Sequence, residues 1–273
     1  MANQIEYAYA CHIGKVRNNN EDNFWCCGEM LEADHHGLDH IRSGRVSQSE
    51  LPLLAVFDGM GGESCGEVAS WLAARSCGEF YEREKSRIRE DAETFLAQVC
   101  GEMNRRVCDY SRENKIRSMG TTAAMVVFSP EGVYGCNLGD SRIYLSRDGE
   151  FRRISRDHVI GGSLFGKAPL VQYVGIPEES MALEPSIVRE EPEIGTRCLI
   201  CSDGISDMLT DGEIEELMGG ETPVEETAEL LLERALKKGG RDNATLILCQ
   251  VMEQEKGWLR KLMNRFHRRH EGE

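Results

Sequence analysis

An α+β fold in which antiparallel sheets are covered by helices is the architecture this sequence predicts, and three observations carry it. Six segments have the apolar, β-branched and aromatic texture of strands. Helical stripes fall in blocks between those strands rather than one after each, which argues against alternating βαβ units. The pair Asp148-Gly149 sits between two apolar runs, a strong short-range hairpin signal.

Taken in order, LPLLAVFDG (51–59) reads as a strand, and a helix is expected over 64–84. Phe95, Leu96, Val99, Cys100, Met103 and Val107 then recur on one helical stripe. Strands follow at TAAMVVFS (122–129), GVYGCNLG (132–139) and SRIYLSRDGEFRRIS (141–155), the last folded on its Asp-Gly turn. Residues 159–187 have scattered Gly and Pro and no sustained period, as expected of an irregular, flap-like insert. TRCLICSDG (196–204) reads as a strand, Val224, Ala228, Leu231, Leu232 and Ala235 as a helix stripe, and ATLILCQVM (244–252) as a closing strand. With no internal repeat or low-complexity linker before residue 252, residues 1–252 are expected to form one domain.

Beyond it, 253–273 changes character. Lys256, Arg260, Lys261, Arg265, Arg268 and Arg269 occur between 256 and 270 with no carboxylate among them. Trp258, Leu259, Leu262, Met263 and Phe266 share one helical face, so a basic amphipathic tail is expected. Such a tail suits an anionic membrane surface, an acidic partner, or packing on the acidic body.

Composition narrows the function. A formal net charge of -15 argues against a nucleic-acid-binding body, which needs a basic surface. The N-terminal MANQIEYAYACHIGK has neither a basic start nor a sustained apolar run, unlike a signal peptide. Eleven cysteines scattered through the apparent strands and helices suit buried thiols in a reducing cytoplasm better than a disulfide framework. Cys198 and Cys201 have CxxC spacing but lie in a strand, where residues three apart point to opposite faces.

The chemistry is concentrated where apolar strands end in carboxylates. Asp58-Gly59 follows LLAVF, Asp203-Gly204 follows CLICS, and Asp140 lies in GDSR, with Asp207 and Asp242 in similar settings. A carboxylate at the end of a buried strand is costly unless hydrogen-bonded or neutralised. The stretch RNNNEDNFW (17–25) adds a cation, four amides and two carboxylates beside an aromatic pair. Each feature alone is an ordinary turn. Together they offer oxygen donors without His or Cys, a set suited to hard cations such as magnesium or manganese.

In order along the chain, RNNNEDNF (17–24), VFDGMGGESCGEVAS (56–70), MGTTAAMVV (119–127), NLGDSRIYL (137–145), ISRDH (154–158), CSDGISDML (201–209) and GRDNATLIL (240–248) resemble the motifs of the metal-dependent protein phosphatases of the 2C type, in their bacterial form. The resemblance spans residues 10–250. It implies a four-layer αββα sandwich of two antiparallel sheets flanked by helices, with a metal centre at one edge between the sheets. It also implies that Arg17 binds the substrate phosphate, that Glu21 and Asp22 hold metal-bound waters at the rim, and that Asp58 bridges two Mg2+ or Mn2+ ions. Gly59 would add a carbonyl oxygen, with Asp203 and Asp242 as ligands from the second sheet. Asp140, Asp203 and Asp207 match the positions of a third ion, and Asn243 a supporting residue. Thr121, Thr122 and His158 lie in the motifs as structural residues.

The implied activity is hydrolysis of phosphoserine and phosphothreonine in proteins by a metal-activated water, in a cytoplasmic monomer opposing a bacterial-type Ser/Thr kinase. Many eukaryotic members carry histidine after the Asp-Gly pair; Met60 stands there in this sequence and cannot donate a proton to the leaving group. Two other readings share the motifs: a phosphatase of small phosphate esters, and a non-catalytic module that binds phosphoproteins.

Overall fold

The computed structural model describes residues 3–60, 65–161, 168–191 and 193–254. The basic segment 256–270 lies outside the described residues. In chain order the elements are β1 (Gln4–His12), β2 (Asp22–Cys26), β3 (Arg42–Ser47), β4 (Leu53–Met60), α1 (Gly66–Glu84), α2 (Ala92–Glu113), β5 (Gly120–Thr121), β6 (Ala123–Ser129), β7 (Gly132–Leu138) and β8 (Arg142–Arg147). They continue with β9 (Glu150–Arg153), β10 (Ser186–Glu190), β11 (Arg197–Cys201), α3 (Asp203–Ser206), α4 (Asp211–Met218), α5 (Val224–Lys237) and β12 (Ala244–Met252).

The strands form two antiparallel sheets. One has the order β3-β1-β12-β11-β8-β9 and the other β10-β7-β6-β4-β2, with β5 paired to the end of β4. Strand alternation explains the layering. In β12, Ile247 and Cys249 face the other sheet, where they meet Phe24, Val56 and Val126. Leu246 and Leu248 face the opposite way, against Ile214, Ala228 and Leu231 of α4 and α5. In β4, Val56 belongs to the inter-sheet core while Ala55 and Phe57 pack under α1 and α2 with Ala73, Leu96 and Val99. Both faces of the central strands are therefore buried, which is why they read as nearly continuous apolar runs. The result is four layers, helix, sheet, sheet, helix, as the resemblance implies.

Local chemistry accounts for the elements. Asp148 and Gly149 both have positive φ, 51° and 81°, as a two-residue turn between β8 and β9 requires. Asp91 caps α2 through the Thr94 amide, and Thr210 with Glu213 forms a capping box on α4. Cys198 lies in the inter-sheet core and Cys201 on the helix side of the same sheet, so their spacing serves packing on two faces.

Five strands outside the six apolar runs appear among the described residues, β1, β2, β3, the two-residue β5 and β10. β2 begins inside the Asn- and Asp-rich stretch, whose turn residues hide it. β3 is a largely exposed edge strand without apolar alternation. Within 159–187, the described residues make only isolated bridges, Val159 with Leu170 and Val174 with Thr121, until β10 begins at Ser186. Asn104 on α2 anchors this segment, accepting from the Gly175 amide at 2.7 Å and donating to the Ile176 carbonyl at 2.9 Å.

Candidate metal centre

At one end of the sandwich the chain leaves or enters four strands with a carboxylate. Asp22 opens β2 and lies opposite Asp58 near the end of β4. Asp203 follows β11 and Asp242 precedes β12. Sequence spacing alone says nothing about these four being neighbours; strand pairing within each sheet and the stacking of the sheets bring them to one end.

A hydroxyl joins the two sheets there. Ser202 Oγ donates to Asp22 Oδ2 at 2.7 Å and accepts from the Thr245 amide at 3.0 Å. Asp22 is almost fully enclosed, at 1% exposure, rather than on the rim. Burial pushes its carboxyl up to about 7, with Asp203 and Asp242 adding repulsion, while hydrogen bonds from Ser202 and Thr245 oppose the rise. Glu21 is half-buried, and its carboxyl is raised by burial and then by Glu67. Carboxylates that repel one another in a desolvated corner are a donor set that fits a cation.

Arg17 reaches this corner from the loop after β1. Its guanidinium forks onto Asp242, Nε to Oδ1 at 2.8 Å and Nη2 to Oδ2 at 2.9 Å. The arginine's pKa is raised chiefly by that hydrogen bond. Half of the side chain is exposed, so the cation faces solvent beside the carboxylates.

Asn243 stitches the corner together. Its Oδ1 accepts from the Glu21 amide at 2.8 Å, and its Nδ2 donates to the carbonyls of Ile13 and Asn19, both at 2.9 Å. One buried amide thus ties the loop carrying Arg17 and Glu21 to the start of β12. Glycines allow the remaining approach. A Cβ on Gly59 would run into the carbonyl oxygens of Gly66 and Glu21, and one on Gly204 into that of Asn243. The Gly59 amide donates to Glu21 O at 3.0 Å.

Thr122 and His158 hold backbone. The Asp58 amide donates to Thr122 Oγ1 at 3.0 Å and the Thr122 amide to Asp58 O at 2.8 Å. His158 Nδ1 accepts from the Gly139 amide at 3.2 Å, fixing the turn that presents Asp140.

Next to this corner lies a cavity of about 410 Å³ lined by Asp140, Asp157, Asp203 and Asp207 with Arg142 and Ser206. Arg142 is held there by Asp157, Nη2 to Oδ2 at 2.9 Å. Ser202, Arg142 and Asp157 were not anticipated as site residues, although each sits inside a quoted motif; their partners are distant in sequence, so no local signal marks them. Among the described residues, no three His, Cys, Asp or Glu side chains make a compact metal-binding group on their own.

The profile of Protein phosphatase 2C matches residues 36–243. The chain belongs to the protein phosphatase 2C family. As a member of that family it is a phosphatase. It is 28% identical over 257 residues to the serine/threonine phosphatase stp of Listeria innocua, covering 89% of this chain and 95% of that one. It is 29% identical over 273 residues to the serine/threonine protein phosphatase PstP of Mycobacterium tuberculosis, covering 93% of this chain and 46% of the longer relative. The crystal structure of the M. tuberculosis phosphatase superposes with a TM-score of 0.73 at 28% identity, over 92% of this chain and 100% of that chain. The catalytic domain of PstP in complex with 2 manganese ions superposes with a TM-score of 0.69 at 28% identity, over the same shares.

Proposed function

We propose that this protein hydrolyses phosphoserine and phosphothreonine in proteins with two Mg2+ or Mn2+ ions, and a third bound more weakly. The observation that carries the reading is the convergence of Asp22, Asp58, Asp203 and Asp242 at one end of both sheets, with the Arg17 guanidinium beside them. Asp58, the Gly59 carbonyl, Asp203 and Asp242 would hold the ion pair, with Glu21 and Asp22 supporting its water shell. Asp140, Asp203 and Asp207 face the cavity that suits the third ion.

When bound, two such ions activate water and offset charge on the transferring phosphoryl group. The chain's own residues do the rest. Arg17 is permanently charged, and its planar fork matches two phosphate oxygens as well as the carboxylate it pairs with here. Asn243 and the Gly59 approach keep Arg17 and Glu21 in register with Asp242. Ser202 holds Asp22 by its hydroxyl, fixing the carboxyl across the sheet gap. Met60 brings no proton, so the leaving group must draw one from water or from another residue, or depart with little help.

The same reading makes the protein a cytoplasmic monomer that opposes a bacterial-type Ser/Thr kinase, with 256–270 as its contact to an anionic membrane surface or an acidic partner. Among the described residues, no helix is long and apolar enough to cross a membrane.

The test is hydrolysis of p-nitrophenyl phosphate and of a phosphothreonine peptide by wild type and Asp203→Ala with manganese, magnesium or EDTA. Turnover that requires metal and is lost in Asp203→Ala is expected. Folded protein that binds manganese yet cleaves neither substrate would instead favour a phosphoprotein-binding module.

A further inference from the structure

The loop 13–17 and the loop 239–242 lie against each other at the outer face of the metal corner. The Lys15 amide donates to Gly240 O at 2.7 Å. A Cβ on Gly14 would strike the Asp242 carbonyl, and one on Gly240 would stand 3.3 Å from Lys15 Cγ. The Arg17–Asp242 fork closes the same pair of loops. Each loop also carries an exposed cation next to that fork, Lys15 two residues before Arg17 and Arg241 one residue before Asp242.

Two cations on the neighbouring helix end are neutralised. Nearby Arg234 is paired with Glu216 and Lys238 with Glu213. Among the described residues, neither Lys15 nor Arg241 makes an ion pair, in a chain with 47 acidic against 32 basic residues. An acidic body repels an acidic peptide, so positive charge left unneutralised at one spot focuses the local field there. Lys15 and Arg241 stand two residues and one residue from the Arg17–Asp242 fork along their own loops, and one or two residues of extended chain span about 3–7 Å.

We infer that Lys15 and Arg241 form a second anion site beside Arg17, selecting phosphorylated segments that carry further negative charge one or two residues from the phosphoresidue. The inference rests on the phosphatase reading above for its substrate class. Carboxylates and a second phosphate share the required chemistry. Val16, 64% exposed between Lys15 and Arg17, leaves the approach open.

The experiment measures binding by fluorescence anisotropy, so that it does not depend on turnover. The probes are four labelled peptides with a non-hydrolysable phosphothreonine phosphonate, flanked by alanines, glutamates, lysines or a second phosphonate. The full chain is loaded with manganese. Two exposed charge contacts should tighten binding of the glutamate peptide about 3- to 10-fold over the alanine peptide. The gain should shrink with added salt. In Lys15→Glu/Arg241→Glu, checked for native circular dichroism, the order of the glutamate and lysine peptides should reverse. A larger gain for the second phosphonate than for glutamate would identify phosphate as the preferred source. Equal affinities for all four peptides in wild type, or an unchanged glutamate preference in the double variant, would overturn the inference. Turnover of the matching phosphothreonine peptides is measured in parallel. If binding shows the charge preference but no peptide is hydrolysed, the phosphatase reading fails while this site stands; hydrolysis without preference does the opposite.

Discussion

Replacing Asn243 with alanine tests whether one amide holds the catalytic corner. The side chain is 5% exposed and makes three hydrogen bonds of 2.8–2.9 Å to the Glu21 amide and the Ile13 and Asn19 carbonyls. Each such bond contributes about 0.5–1.5 kcal/mol net, and a buried partner left unmet costs about 1–3 kcal/mol. Because the loop 13–21 lies at the surface, water can reach part of the gap, which places the expected loss at about 2–4 kcal/mol rather than the full sum. Urea unfolding at pH 7 would read it as a lower midpoint with an unchanged slope. Manganese-dependent hydrolysis of p-nitrophenyl phosphate, measured well below the unfolding temperature, should fall as well, since Arg17 and Glu21 lose their register with Asp242. Asn243→Asp should be no better, because it keeps an acceptor for the Glu21 amide but turns a carboxylate toward two carbonyls. A loss under about 1 kcal/mol with full activity would refute the reasoning, since one net hydrogen bond would then account for the whole residue.

The remaining predictions concern charge and space in the same corner. In protein stripped of metal with EDTA, Asp22 keeps its proton up to about pH 7, well above the unfolded carboxyl range, so the folded state binds that proton more tightly and this group's contribution to stability declines as pH rises toward 7. Burial lowers the pKa of His12, His35 and His158, which pulls the other way on acidification. The readout is therefore the difference between wild type and Asp22→Asn, whose relative stability should be greater at pH 7.5 than at pH 5.5; a difference independent of pH would count against the buried acid. Gly59→Ala should cost about 1–3 kcal/mol by overpacking two backbone carbonyls and sharply reduce metal-dependent turnover, whereas Gly101→Ala, with open space around its position in α2, should stabilise by about 0.4–1 kcal/mol. Comparable thermal shifts for the two would contradict the assigned close approach.

Much of this protein is legible in its amino-acid order because its signals are local. Val56 against Ala55 and Phe57, or Ile247 against Leu246 and Leu248, are alternating positions whose strands have a core on either side, and such runs declare themselves in any window. Asp148-Gly149 declares its turn because few residues accept two successive positive φ values. The carboxylates at the strand ends and the order of the seven motifs pointed to the phosphatase family and its donor set. Other features depend on residues far apart in the chain. That Asp22 is enclosed, held by a serine 180 residues away, follows from the stacking of the two sheets. The grip of Asn243 on Glu21 spans 222 residues, and the Arg17 fork spans 225. The edge strand β3 has no apolar alternation because neither of its faces is fully buried, so only its pairing with β1 reveals it. The sequence by itself determined which residues carry charge, which turns they favour and which faces are apolar; tertiary structure alone decided which charges meet and which are buried, because those interactions act through space between segments that no local pattern connects.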